Sequence, residues 1–346
     1  MAVKLPIKQP PITSYQQIAL PLTVAMQSPK AENWFYSNYI LAACVRRKHY
    51  LSKGNRDNAL HYGFYNPRID PIQPLKHITI EGNEQLFMFG KSSFIKDALD
   101  DGWYIYTDAD MFYIDGSNTY EKYHYTHDLM IYGYDNYGKV YIYMYDESKL
   151  STHVVSFENF INGYYSEFCN ETFYRDRAIL FKPSAEEQKV NIAQVRWHMH
   201  DYLDGIESFP REYPNKFYPD ALSAIGIQTY DEFADFFDFL IEHPYKYMRR
   251  VDLYCFYEHK KVMFDRVKYF REHGVLKADD DLIASFDDIC KKANRVMLLG
   301  LKCNAVSSEE QKNRILCSLK KHVGEIRELE VKTWNRYIDL NKELLG

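Results

Sequence analysis

The stretch TDADMFYIDGSNTYEKYHYTHDLMIYGYDNYGKVYIYMY, from Thr107 to Tyr145, decides how the chain is read. Aromatic and β-branched residues alternate with polar ones on both sides of Asp135-Asn136-Tyr137-Gly138, whose Asp, Asn and Gly are turn formers. His127 to Glu147 is therefore a hairpin, and Gly102 to Ile114 just upstream is a strand with a turn. Ala178 to Pro183, AILFKP, adds a further strand. Two helices are expected among these strands, from Asn33 to Lys48 and from Lys91 to Leu99, the second stopped by Asp100-Asp101-Gly102.

Beyond Pro183 the period changes. Ser184 with Glu187 three residues on has the form of a capping box, and helical spacing continues to Gly346 with no convincing strand. In the last segment Ile315, Leu319, Val323, Ile326, Thr333, Tyr337 and Leu344 fall near one face, with Glu330 on or beside it. The fold class expected is α+β, with a mixed domain over 1–183 and an all-helical bundle over 184–346 that packs on the first domain.

Composition narrows the function. Lys plus Arg is 43 against 48 Asp plus Glu, a net charge of −5, which argues against the basic stripe of a nucleic-acid binder. No apolar run approaches the ~18 residues of a membrane span, and the N-terminus has no secretory pattern, so a cytoplasmic location is expected. Tyr is abundant at 31 and Gly scarce at 15, which disfavours glycine-rich phosphate loops. Phe89 to Ser93 contains Gly-Lys-Ser, but Gln85 stands where such a loop needs its first glycine. No GxSxG or HExxH occurs. His198 and His200 are two apart on a helix and point to different faces, so no metal is expected. The cysteines at 44, 169, 255, 290, 303 and 317 form no CxxC and read as reduced small apolar residues.

His127 is the residue with chemical content. An imidazole at the mouth of a strand is held rigidly and titrates near neutrality. A group at the end of the return strand can orient it, which is the base-plus-orienter half of a Cys-His-Asp machine. On pattern alone a histidine capping a hairpin is the commoner occurrence. The residues Ala98 to Ile114, Tyr120, Tyr123, His127 and Gly133-Tyr134-Asp135 resemble the butirosin biosynthesis protein H family, a papain-like group, and are similar more distantly to the double-glycine leader peptidases. Asp252 to Phe270, Leu298 to Ala305 and Ile326 to Ile338 resemble the helical tail of relatives encoded beside nonribosomal peptide synthetase genes in bacilli. The resemblance spans roughly residues 30 to 340.

That resemblance implies a papain-like N-terminal domain and acyl or aminoacyl transfer from a carrier-protein thioester to a small amine. The donor would be phosphopantetheine-linked, and no bound cofactor is implied. Arg46, Arg47 and Lys48 form a basic cluster that an acidic carrier protein would meet, although such residues at a helix end more often pair with its dipole. The chain departs from the pattern at the nucleophile. Papain-like enzymes place it at the start of the first long helix, where the dipole favours a thiolate. Glu32 to Lys48, ENWFYSNYILAACVRRK, has no cysteine there. Ser37 is nearest the expected place, and Cys44 falls two turns later, where a buried apolar role is far commoner.

The relatives' orienting Asp falls at Met144, and Asp146 is the substitute two residues on. Gln27 has the spacing of an oxyanion-hole amide. Tyr104, Tyr106, Tyr113, Tyr132 and Tyr143 would line a cleft, or pack a sheet by simple alternation. Two readings follow: an acyltransferase with a non-standard nucleophile or with His127 as base alone, and a catalytically inactive papain-like scaffold that binds a carrier protein, peptide or small molecule. Long paired helices would also suit a homodimer.

Overall fold

A computed structural model describes residues 2–46, 60–65, 72, 74–81, 92–146, 149–171, 177–206 and 223–346. The chain is mixed α and β, an antiparallel sheet together with C-terminal helices. It forms two compact units, neither continuous in sequence: a sheet unit of Met1–Glu32 with Ile69–Gln188, and a helical unit of Asn33–Arg68 with Lys189–Gly346. Residues 33–68 thus go with the C-terminal helices, so the compact units are not separated by one cut near Pro183.

In the sheet unit, β1 (Val3–Lys4) and α1 (Gln16–Ala25) are followed by β4 (Leu75–Glu81), α3 (Ser92–Asp100), β5 (Tyr104–Asp110), β6 (Thr126–Tyr134), β7 (Lys139–Asp146), β8 (Lys149–Ser156), α4 (Phe157–Tyr164) and β9 (Arg177–Pro183). The strand order is β4-β9-β5-β6-β7-β8, all antiparallel, and β1 pairs with β6. The expected hairpin is β6–β7, with Asp135 Oδ1 accepting from Tyr137 N and Lys139 N in its turn.

Alternation gives the sheet two faces. Ile105, Ala109, Leu129, Ile131, Ile142, Met144, Ala178 and Leu180 point to one and bury against Ile95, Ala98 and Leu99 of α3 and Phe160 and Tyr164 of α4. Tyr104, Tyr106, Met130, Tyr143 and Phe181 register together on the opposite face and are buried. Helix α1, itself buried along most of its length, packs against β6, β7 and β9. Beyond the start of β5, where Ile105 faces Ile131, β1 takes its place beside β6 at Gly133 and Tyr134. A Cβ at Gly133 would lie 2.6 Å from the Val3 carbonyl and 2.7 Å from the Tyr141 ring, so only glycine admits that approach.

The helical unit holds most of α2 (Ala31–Ser37). It also contains the short sheet β10-β2-β3 (Ser223–Ile225, Ala42–Val45, Gly63–Phe64) and the helices α5 (Ile192–Asp204), α6 (Thr229–Glu242), α7 (Arg250–Glu272), α8 (Asp280–Ala305), α9 (Glu309–Leu340) and α10 (Lys342–Leu345). The last long helices begin where acidic or hydroxyl caps stand. Asp279 accepts from Leu282 N at 2.8 Å and Ser308 from Gln311 N at 3.4 Å.

Several expectations need correction. The helix from Asn33 to Lys48 is not formed: α2 ends at Ser37, and Ala42–Val45 is a strand. Its Ala-Ala-Cys-Val has helix formers, but pairing on both sides with β10 and β3 overrides that local preference. The C-terminal part is not free of strands, because β10 lies in it. Ser184 caps no helix. Its Oγ accepts from Glu186 N in a local turn, and α5 starts only after Asn191, whose side chain accepts from Gln194 N. Arg47, Lys48, Gln85 and Phe89 to Lys91 lie outside the described residues. Among those described, no helix is long and apolar enough to cross a membrane, and no group of His, Cys, Asp and Glu is arranged to hold a metal ion.

Candidate functional site

His127 is the second residue of β6, opposite Ala109 of β5. Its Nδ1 lies 2.8 Å from Asp128 Oδ1 and 2.9 Å from the Gln16 side-chain nitrogen. The ring is part-exposed, with Tyr125 at 5.4 Å between centroids, and Nε2 has no hydrogen-bond partner among the described residues. The orienting acid is thus the next residue in the chain. Neighbouring strand residues normally point to opposite faces. At the strand's entrance the backbone lets both side chains turn toward each other.

Asp128 is held from both sides. Tyr106 donates its hydroxyl to Oδ2 at 2.5 Å, and the Gln16 amide donates to the Asp128 carbonyl. Gln16 is itself fixed, since its Oε1 accepts from Tyr145 N of β7. Gln16 is the first residue of α1, so the start of that helix carries the side chain that meets the imidazole. Burial alone would raise the Asp128 carboxyl and lower the His127 imidazole. Hydrogen bonding and charge between the two reverse both shifts: Asp128 is held below the ordinary carboxylate range and His127 above the ordinary imidazole value, with Asp108 adding to the latter. In the tautomer whose Nδ1–H donates to Asp128, with the Gln16 amide donating to the Asp128 carbonyl, the neutral ring carries its lone pair on Nε2, as a general base requires.

The other expected residues scatter. Asp146 ends β7 and accepts from Asn118 N at 3.2 Å, with His153 Nε2 3.8 Å away, so its recorded partners do not include His127. Gln27 follows the far end of α1, about 16 Å from Gln16 at 1.5 Å per helical residue. There it bonds Tyr104, Pro6 and Thr23. Tyr106 does reach the site, through Asp128. Tyr132 and Tyr143 are buried in the sheet, while Tyr113 is part-exposed in a short 3₁₀ turn with its ring 6.2 Å from His124.

Ser37 and Cys44 belong to the helical unit. The Ser37 hydroxyl is buried and committed, donating to Asn33 O at 2.7 Å and accepting from Asn191 N at 2.8 Å. Cys44 is buried in the middle strand of the short sheet. Burial pushes its thiol well above the ordinary value, and Glu232 and Asp252 add to the rise against Arg46. That is the reverse of what a thiolate nucleophile needs. Arg46 donates to Gln228 at 2.5 Å.

Gln16 and the Asp128 role escape a reading by motif. The available signal was the adjacent pair His127-Asp128 together with alternation of Tyr106, Asp108 and Asp110 along one strand. A second imidazole–carboxylate pair was also missed. His124 Nδ1 lies 2.6 Å from Asp110 Oδ2, and Asp110 is fully buried. No protein-family model matches the chain, and no curated protein matches it with significance.

Proposed function

We propose that the sheet unit is a papain-like scaffold for acyl transfer from a carrier-bound thioester to an amine, with His127 as general base and no acyl-enzyme intermediate. The observation that carries this is the His127 ring, tied at Nδ1 by Asp128 and open at Nε2. The burial of Ser37 and Cys44 supports the direct route, because neither offers a reachable, activated nucleophile. The amine nitrogen attacks the thioester carbonyl while its proton passes to His127 Nε2. The C–N bond forms, the C–S bond breaks, and the imidazolium returns its proton to the departing thiolate. Asp128 stays ionised throughout and stabilises the imidazolium. The resemblance of His127 and Gly133-Tyr134-Asp135 to the butirosin biosynthesis protein H family supplies the substrate class. The partners on this reading are an acyl or peptidyl carrier protein and a small amine.

The test is aminolysis of acyl N-acetylcysteamine thioesters and acylated carrier protein, with intact-mass analysis in parallel. His127→Ala is expected to cut turnover by about 10²–10⁴-fold, with no acyl adduct on the wild type. An adduct abolished by Ser37→Ala or Cys44→Ala would overturn the direct route. A specific observation favours a second reading. At the start of α1, where a papain-like enzyme carries its thiol, stands Gln16, whose amide nitrogen lies against His127. No turnover with any thioester, alongside measurable carrier binding, would make the unit a binding scaffold.

A further inference from the structure

Three residues before His127 in the chain, His124 is the middle ring of a stack of three. Phe112 and His124 lie 4.4 Å apart at 25°, and His124 and Phe168 lie 3.9 Å apart at 11°. The middle ring is locked by Asp110 Oδ2 at 2.6 Å. That carboxylate is in turn fixed by Ser166 Oγ at 2.7 Å and by the amides of Phe112 and Tyr125, each at 3.1 Å. A buried, fully bonded acid therefore holds the stack in one geometry before any ligand arrives, which lowers the ordering cost of binding.

The stack ends in an open face. Phe168 is 50% exposed, and no second ring lies against it among the described residues. Tyr123, Tyr125 and Tyr165 are exposed as well, so aromatic surface meets water on both chain segments that carry the stack. The two residues that precede His127 border it. Thr126 Oγ1 donates to the Phe168 carbonyl at 2.9 Å, and the Tyr125 ring is 5.4 Å from that of His127. Asp110 and Asp128 put two carboxylates at this entrance, both held below the ordinary carboxylate range, which disfavours an anionic ligand.

We propose that the outer face of Phe168 is a stacking platform for a planar, uncharged aryl group, the acyl portion of the thioester presented to His127. Only the word acyl rests on the acyl-transfer reading; the platform stands without it. Aromatic faces gain from offset stacking beyond the area they bury, so the platform discriminates between aryl and alkyl chains of similar length.

The test uses the full chain and non-hydrolysable pantetheine thioethers, S-benzyl against S-butyl and S-(3-carboxypropyl), in calorimetric titrations. The benzyl compound is expected to bind at least tenfold tighter than either of the others. Phe168→Ala and Phe168→Leu should erase that preference, Phe168→Tyr should keep it, and His127→Ala should leave it within twofold. Equal affinities, or a preference untouched by Phe168→Leu, would overturn the platform. So would a Phe168→Ala protein whose sedimentation mass halves, since the ring would then belong to a contact between two copies. Benzyl preference through Phe168 with no thioester turnover sinks the chemistry and keeps the platform. His127-dependent turnover of acetyl and benzoyl thioesters at equal kcat/KM does the reverse.

Discussion

His127 in the sheet unit and His259 in the helical unit have similar neighbours and opposite chemistry. Each has a tyrosine and a charged side chain close by. His259 is fully buried on α7, with Nε2 donating to Ile40 O at 2.8 Å and its ring stacked on Tyr202 at 5.6 Å. Burial, then the charge of Lys260, push its pKa well below the ordinary imidazole value. His127 is part-exposed, and its near charge is the carboxylate of Asp128, so its pKa moves the other way. The residue types do not separate the candidate site from a structural cluster. Access to water and the sign of the nearest charge do.

The largest effect is expected in the buried region. Lys260 and Glu330 pair at 2.9 Å with both side chains excluded from water, and Tyr202 and Tyr230 donate to the same Glu330 oxygen at 2.8 and 2.5 Å. Removing one partner strands a charge in the interior, so Lys260→Met or Glu330→Leu alone should cost about 3–5 kcal/mol. The double variant should recover most of that loss, because the desolvation of two charges is removed together. Urea unfolding of the two single variants and the double variant checks this. A single variant within 1 kcal/mol of wild type would mean that the pair is not the closed structural element that separates this region from the His127 site.

At the His127 site the expected change is in titration. His127 must be neutral to act as base, so kcat/KM should rise with pH through a midpoint above the ordinary 6.5. Asp128→Asn should move that midpoint down. The same shift links to stability. A raised folded-state pKa stabilises fully below the unfolded value, and that contribution is lost as pH rises through the folded one. Asp128→Asn should therefore cost more stability at pH 6 than at pH 9. A midpoint unmoved by Asp128→Asn would make Asp128 a strand-end ornament and bring His127 closer to the inert His259.

How much of this was legible depended on whether local chemistry or distant contacts fixed each part. The β6–β7 hairpin could be read because its turn residues and alternation are local. The long helices α7, α8 and α9 could be read because their apolar spacing extends over many turns. β2 could not, since Ala42 to Val45 extend only by pairing with strands remote in sequence. α1 was missed because Pro21 stands inside it and its buried residues surround the helix, so no polar stripe marks it. Without α1, the helix that meets His127 is expected at Asn33, and no local signal points to Gln16. His127 itself could be read from its position at a strand entrance. Its orienting acid could not, because a sequence reading sends adjacent strand residues to opposite faces.

A smaller effect tests the acid of the second pair. Burial pushes Asp110 upward, but bonds from Ser166, His124 and the Phe112 and Tyr125 amides outweigh it and hold the carboxyl below the ordinary range. A lowered folded-state pKa stabilises above the unfolded value and is lost as pH falls through the folded one. Asp110→Asn should therefore flatten the acid side of the stability curve below about pH 4. It should leave the difference between pH 6 and pH 9 as in wild type. If it also abolished that difference, Asp110 and Asp128 would be one coupled cluster, and the contrast would no longer rest on His127 alone.

The smallest effect concerns thiols, and it carries the comparison back to the helical unit. Cys317 is exposed, Cys290 is partly covered with its thiol pushed up to about 11, and Cys44 is buried with its thiol held well above the ordinary value. Reactivity follows the thiolate fraction and access together. Among these three, a stoichiometric aromatic disulfide at pH 8 should label Cys317 first and leave Cys44 untouched until urea is added, with little change in turnover. Peptide mapping of the labelled protein gives the order directly. Fast labelling of native Cys44 would mean that the short sheet opens to solvent and that a thiolate can form there. The helical unit would then hold a reactive thiol, and the contrast between the part-exposed His127 and a sealed helical unit would fail.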